Sequence, residues 1–314
     1  MSSERSVVLT AMAANAAIAV LKFVGYLLTR SPAMLSETYH SISDTGNQVF
    51  LLVGIWYGGR ERSQRHPFGY GKAQFFYSFL VSVLLFGIAG WESAKHGYDA
   101  LVHHQAAALA GTVTVAGATI PAVYVNYAIL LGGVLFEGYA FRRAYHSMAH
   151  EIRQHGWSGF VEGFRKTANV STLTALTEDT VSILGLVLAF LGIVLSRVTG
   201  DPLYDAGAAL LIGLLLMVFA LALAWENQRL LLGESLPPAE ERRLRRIVTE
   251  WEDVDRIVDF RTVYFGPEQI LVTADVEFDP DLDTEAIDDH ISGIERDLMN
   301  AYEGVNKVYI EPEA

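Results

Sequence analysis

Six stretches of this chain are each about 20 residues long and mostly apolar, the length a helix needs to cross the hydrocarbon core of a bilayer. They run over approximately 7–28, 34–57, 74–96, 121–141, 171–196 and 203–224. An even number of spans returns both ends of the chain to one side. The first stretch is longer than the apolar part of a signal peptide and has no cleavage-like flank before Arg30, Ser31 and Pro32, so it is expected to be retained. Basic residues in the short loops set the orientation. Arg5, Arg60, Arg62, Arg65, Lys72, Arg142, Arg143, Arg153, Arg165 and Lys166 fall on one side, against Arg30, Lys95 and Arg197 on the other. That bias places both termini in the cytoplasm of a multi-pass protein of the cell (inner) membrane. The Ala/Gly/Thr-rich loop 97–120 is nearly uncharged and makes a weak seventh candidate.

Composition agrees, and it also divides the chain. Hydrophobic residues make up 51% and charged ones 19%, against about 45–50% and 25% in soluble proteins. Residues 225–314 carry 23 acids and 9 bases, a net −14, while residues 1–224 carry 13 acids and 14 bases, a net +1. The acidity belongs to the tail, and it argues against a nucleic-acid partner, whose phosphates need a basic surface. With no cysteine there is no thiolate metal site, disulfide or cysteine nucleophile.

The tail reads as a small soluble domain over 225–314 behind a membrane domain over 1–224. A helix is expected after Pro237-Pro238, with Glu240 and Glu241 in its first turn and Leu244, Ile247, Val248 and Trp251 at helical spacing. Residues 257–264 and 270–278 alternate in polarity around Gly266-Pro267 as a strand pair. An amphipathic helix over 284–302, with Thr284 as N-cap, and a strand over 305–310 complete an α-β-β-α-β order.

Ionisable groups inside a span cost about 2.5–3.5 kcal/mol each on the insertion scale, so each needs a partner or a function. The second span is richest in them. In SETYHSISDTGNQ, His40, Asp44 and Gln48 are spaced i, i+4, i+8 and share one helix face, bordered by Glu37, Ser41 and Asn47. An imidazole and a carboxylate one turn apart can both reach one cation at about 2.0–2.2 Å. The alternatives are that the two merely pair, or that the stripe lines a water-filled subunit interface. In the fifth span Glu178 and Asp179 are adjacent, so they diverge by about 100° and only one can point straight at a common centre. Lys22 is the only base well inside a span, and one lysine cannot neutralise Asp44, Glu178 and Asp179 together. A divalent cation supplies the missing charge, and this sulfur-free donor set suits zinc, manganese or ferrous iron. Asn15, Lys22, Asn126, Glu137 and Asp205 are read mostly as helix–helix hydrogen bonds or interfacial anchors, with Lys22 near enough to a span end to snorkel.

Three stretches, SPAMLSETYHSISDTGNQ (31–48), HPFGYGKAQ (66–74) and DPLYDAGAALLIG (201–213), resemble the cation diffusion facilitator family of divalent-metal/proton antiporters. The tail is similar too, in LLLGESLPP (230–238), FRTVYFGPEQILVTADVEFDP (260–280) and YIEPE (309–313), so the likeness covers essentially the full chain. It implies a six-helix transmembrane domain, a ferredoxin-like α+β cytoplasmic domain, and a homodimer joined largely through that domain. It also implies alternating access at a site between the second and fifth helices. His40 and Asp44 match the family motif, and Asp179 matches the fifth-helix carboxylate. The family's His or Asp one turn earlier is Ala175 here, so Glu178, Gln48, Asn47 or water is left to complete the set. Other family metal positions are eroded. Tyr70 replaces a loop histidine and leaves His66; Asp275 and Tyr309 replace histidines in the tail and leave His290; the linker before the fifth span has only His146, His150 and His155. A cytoplasmic regulatory metal cluster is therefore expected to be weak or absent.

Metal binding needs neutral imidazole and ionised carboxylates, so loading such a site releases protons and protonation expels metal. The expectation is Zn²⁺/proton antiport out of the cytoplasm, with zinc as transported substrate, Mn²⁺ or Fe²⁺ as alternatives, and no prosthetic group. The rival classes are a non-transporting membrane metal sensor or scaffold and an intramembrane zinc enzyme. No HExxH helix motif supports the enzyme.

Overall fold

The computed structural model of the protein describes residues 2–103, 112–115, 118–166, 170–267 and 269–313. Packing divides the chain into two units, the residues up to Leu52 with Ser78–Trp225, and Val53–Tyr77 with the residues from Glu226 on.

Long helices build the first unit. They are α1 (Ser2–Thr29), α2 (Pro32–Gly58), α3 (Lys72–Leu84) running through a π-helical turn (Leu85–Gly90) into α4 (Trp91–Val102), α5 (Val123–His155), α7 (Val170–Thr199) and α8 (Leu203–Leu232), with a short α6 (Phe160–Lys166) between α5 and α7. Among the described residues, Lys72–Val102, Val123–Gln154, Ala175–Thr199 and Leu203–Leu232 are long and apolar enough to cross a membrane. Asn15–Thr29 is a shorter apolar run, and in α2 the polar stripe dilutes the hydropathy.

Each helix end has a local cause. Helix α5 runs well past the apolar stretch that ends near residue 141 and stops at Gly156, whose φ of 65° provides the left-handed cap that glycine favours. Helix α8 likewise passes residue 224 and stops at Gly233, at φ 100°. The weak seventh candidate does not form a span of its own among the described residues: 97–102 are the last turns of α4, strands β1 (Thr112–Val115) and β2 (Ala118–Pro121) pair as a hairpin, and residues 104–111 and 116–117 lie outside the described residues.

A core of Met34, Leu85, Val123, Leu130, Leu186, Ile193, Ile212 and Leu216 fills the unit, while Leu135, Val198, Val218 and Leu221 face outward, as lipid-facing side chains do. Small residues let the backbones approach. A Cβ on Gly97 would meet the backbone of Leu210, and one on Gly213 would meet that of Ala94, so α4 and α8 touch main chain to main chain.

The second unit has the expected element order. Helix α9 (Pro238–Thr249) buries Leu244 and Val248; strands β3 (Val254–Gly266) and β4 (Gln269–Phe278) are antiparallel; helix α10 (Thr284–Ala301) crosses to β5 (Val305–Glu313), which pairs parallel to β4. Sheet order is β3-β4-β5. Alternate β4 residues Ile270, Val272, Ala274, Val276 and Phe278 are buried and pack with Leu244, Val248, Ile294 and Leu298. The N-cap of α10 is Asp283, not Thr284: its carboxylate accepts from the Ala286 N–H at 2.9 Å.

The α2–α3 loop belongs to this unit and seats on the β3–β4 turn. The Phe68 and Phe265 rings lie 4.9 Å apart, and Lys72 Nζ donates to the Leu231 carbonyl at 3.2 Å while sitting 5.0 Å above the Phe265 ring. A Cβ on Gly71 would collide with the Phe265 carbonyl, and one on Gly266 would stand 3.0 Å from Gly71 Cα. Gly71 of the HPFGYGK stretch and Gly266 of the β3–β4 turn therefore permit a backbone-to-backbone contact.

Candidate metal site

Helix α2 is fixed first at its N-terminus. Ser31 Oγ accepts from the Met34 N–H at 3.2 Å and donates to Asp205 Oδ1 at 2.9 Å, and that same oxygen accepts from the Ala33 N–H at 3.2 Å. The α8 carboxylate thus serves donors left free in the first turn of α2. Asn126 Nδ2 donates to Thr29 Oγ1 at 2.7 Å, so Asn126 and Asp205 are helix–helix hydrogen bonders, as expected.

Lys22 does not snorkel. It is fully buried, and its Nζ lies 2.8 Å from Glu37 Oε2. Glu37 is equally buried, and its other oxygen is pressed against α7, where a Cβ on Gly185 would come 2.5 Å from Oε1. The span end was the wrong guide because α1 turns this face towards α2. The direct ion pair of Lys22 is with Glu37 and not with the other intramembrane acids.

Those acids surround one cavity of about 490 Å³. Helix α2 contributes Asp44 and Gln48 to its wall, and α7 contributes Glu178 and Asp179. Ala175 lines it one turn before Asp179. Asn47 Nδ2 donates to Glu178 Oε1 at 3.3 Å, and the Asp44 and Glu178 carboxyl groups are within hydrogen-bonding reach of each other. His40 is not part of the wall but abuts it, with its Nε2 3.6 Å from Asp44 Oδ2. The imidazole is 1% exposed, and neither ring nitrogen has a hydrogen-bond partner. Glu137 of α5 and Asn15 of α1 also line the cavity, and sequence reasoning set both aside as structural. The cost of a mid-span carboxylate was the signal that marks Glu137.

The donors ring a space rather than a point. Among the described residues, no three His, Asp or Glu side chains are close enough together to hold one ion. Nor does any Lys or Arg among them form an ion pair with Asp44, Glu137, Glu178 or Asp179, although Arg143 lines the same cavity. A water-accessible cavity walled by carboxyl groups without an ion-pair partner among the described residues, with an imidazole behind it, offers hard and borderline donors suited to a divalent cation.

The histidines away from the cavity are differently occupied. His290 Nδ1 accepts from Trp251 Nε1 at 3.1 Å and its Nε2 lies 3.3 Å from Asp253 Oδ2, so both nitrogens are engaged. The His66 ring packs 4.2 Å from that of Tyr70, centroid to centroid. His146 Nδ1 is 2.7 Å from the Arg142 carbonyl, and the side chain of His155 lies outside the described residues.

The family model of the cation efflux transmembrane domain matches residues 8–232, and that of the cation efflux protein cytoplasmic domain matches residues 236–314. The chain is 30% identical over 273 residues to the human protein named proton-coupled zinc antiporter SLC30A9, mitochondrial, covering 87% of this chain and 46% of the relative. It is 24% identical over 276 residues to metal tolerance protein C4 of Arabidopsis thaliana, covering 88% and 57% respectively. Magnetosome protein MamM of Paramagnetospirillum magneticum is 34% identical over 88 residues, 28% of this chain and 27% of that one. The chain thus spans about half the length of the SLC30A9 and C4 relatives. With these two models matched over residues 8–232 and 236–314, the chain is a multi-pass membrane protein of the cation efflux, or cation diffusion facilitator, family.

Proposed function

We propose that the protein exchanges a divalent cation, zinc foremost, for protons across the cell membrane by alternating access, exporting metal from the cytoplasm. The proposal includes six spans, both termini cytoplasmic, a membrane domain over 1–224, and a ferredoxin-like domain over 225–314 that joins two copies into a homodimer. Asp44, Asp179 and His40 are assigned as cation ligands, Glu178 as a further ligand or support, and Gln48 and Asn47 as polar neighbours. The observation that carries this reading is the shared cavity: carboxylates from α2 and α7 face one space, and among the described residues the lysine buried in the helical unit, Lys22, is paired with Glu37. The names of the human and Arabidopsis relatives support it.

The coupling follows from competition. A cation and protons seek the same carboxylate oxygens and imidazole nitrogen, so lowering the pH on the loading side weakens loading, and protons arriving from the far side expel the cation. No bond is made or broken in the cargo, so the activity is transport, not catalysis. Zinc is preferred because His40 adds an imidazole. The oxygen-rich remainder, with alanine at 175, keeps Mn²⁺ and Fe²⁺ as the second reading.

Proteoliposomes holding the full chain and a zinc-sensitive dye test it. Imposing an inward zinc gradient and an opposing proton gradient should give zinc flux with matching proton counter-flux. His40→Ala and Asp179→Ala should abolish both; zinc entry at the wild-type rate in either variant would refute the assignment. Competition among Zn²⁺, Mn²⁺ and Fe²⁺ in the same vesicles ranks the cargo.

A further inference from the structure

Two helices carry acids to one stretch of α7. From α2, Asn47 reaches Glu178 at 3.3 Å and Glu37 lies against Gly185, so α2 runs antiparallel along α7 and Asp44 comes opposite the turn that begins at Glu178. Helix α5 does the same on another flank. A Cβ on Gly133 would lie 3.0 Å from Leu186 Cδ2, and the Tyr127 and Phe190 rings are 5.4 Å apart. Continuing that antiparallel register one turn beyond Gly133 brings Glu137 level with Ser182, a turn from Asp179. All of these residues, Asp44, Glu137, Asp179 and Ser182, line the same cavity.

A carboxylate there needs a reason. Ion pairing does not provide it: Lys22 is bound to Glu37, and among the described residues no cation pairs with Glu137. Helix α7 offers nothing one turn before Asp179, since Ala175 lines the cavity without a donor atom. Beside the acids lies His40, 1% exposed, with neither ring nitrogen hydrogen-bonded and Nε2 aimed at the Asp44 carboxyl group 3.6 Å away. An imidazole stranded in this way points to a ligand that the protein's own groups do not replace.

We propose that Glu137 is a cation-facing residue of this site, supplying from α5 the oxygen donor that Ala175 does not supply from α7. The inference rests on the antiport reading above and deepens it. A cation passing through the cavity is then held by three helices rather than two. The donor set becomes richer in oxygen than His40, Asp44 and Asp179 alone, which widens acceptance towards Mn²⁺.

The test uses the full chain and has a readout that needs no mutation. Membrane carboxyl groups are labelled with a hydrophobic carbodiimide in the presence and absence of Zn²⁺ or Mn²⁺, and each site is quantified by mass spectrometry. Either metal should slow labelling of Glu137 together with Asp44 and Asp179. Protection of Asp44 and Asp179 with Glu137 labelled at an unchanged rate overturns the inference and leaves the antiport reading standing. If metal protects none of the three and the wild-type chain moves no zinc, the antiport reading itself has failed and takes the inference with it.

Equilibrium Zn²⁺ competition against a fluorescent chelator gives the magnitude. The isosteric Glu137→Gln and the truncated Glu137→Ala should weaken binding by about 10- to 100-fold, the range typical of perturbing a metal site. Adding Ala175→Asp to Glu137→Ala should recover most of the loss by returning a carboxylate from α7. Folded Glu137 variants that bind Zn²⁺ as the wild type does overturn the proposal.

Discussion

The two units treat buried polarity in opposite ways. In the sheet unit the interior is Leu244, Val248, Val272, Val276, Ile294 and Leu298, and its polar side chains have partners: buried Thr262 accepts from the Leu236 N–H and donates to Glu241, and Trp251, His290 and Asp253 engage one another at the rim. In the helical unit ionisable groups lie inside. Glu37 Oε1, both His40 nitrogens, Gln48 Oε1 and Asp205 Oδ2 are buried without hydrogen bonds, and every such side-chain atom among the described residues belongs to that unit. A fold selected only for stability eliminates such groups, because an unsatisfied buried polar atom costs about 1–3 kcal/mol. One unit satisfies the polar groups it buries, and the other leaves some of them open, where the proposed cargo would bind.

The sharpest way to break this contrast is to remove the cavity acids. Asp44→Ala or Asp179→Ala should lower zinc flux by at least about 100-fold, equivalent to about 2.7 kcal/mol or more of lost interaction. The thermal unfolding of the purified protein in detergent should stay where it was or rise, because an uncompensated mid-span carboxylate has been removed. A large fall in stability would show that these acids hold the helices together rather than serve a cargo.

The Lys22–Glu37 pair qualifies the contrast, being an ion pair inside the helical unit that engages one of the two Glu37 oxygens. Lys22→Met leaves Glu37 buried without its partner and should destabilise the fold by about 3–5 kcal/mol. Replacing both, Lys22→Met with Glu37→Leu, should restore much of that loss, since an apolar pair of similar volume is often neutral. Unfolding in mixed micelles measures both variants. Full stability with transport lost in the single variant would move Lys22 from structure to mechanism.

Core truncation probes the other side. Leu298→Ala, at a fully buried position in α10, should cost about 2–5 kcal/mol. It should leave the zinc concentration for half-maximal flux unchanged in the molecules that remain folded.

What was legible in the sequence follows the same division. The α-β-β-α-β order could be read because strand alternation and amphipathic spacing are local, while element ends were less legible: Asp283 caps in place of Thr284, α9 stops at Thr249 before Trp251, and the strands expected over 257–264 and 305–310 run over Val254–Gly266 and Val305–Glu313. In the helical unit the apolar stretches marked where helices run but not where they end. Hydropathy senses lipid, whereas α5 continues through a polar segment until Gly156 stops it. His40 and Asp44 stood out because their i, i+4 spacing lies within one helix. The roles of Lys22 and Glu137 did not, because each depends on which neighbouring helix its face meets. That pairing is set by packing, through contacts such as Gly185 with Glu37 and Gly133 with Leu186.

The smallest expected effect concerns His290, where the contrast predicts structure without function. Its two nitrogens are committed to Trp251 and Asp253, and its ring stacks 6.4 Å from that of Phe278. His290→Ala strands the Trp251 indole N–H and removes a ring contact, which together should cost about 1–2 kcal/mol. Zinc affinity should not move, because a histidine whose nitrogens already have partners has no lone pair to spare for a metal. His290→Gln, which keeps an acceptor for the indole, should recover part of the stability and again leave transport unchanged. A shift in zinc dependence with either variant would mean that the Trp251–Asp253 clamp opens for metal, and the sheet unit would then share the cation-binding role proposed here for the helical one.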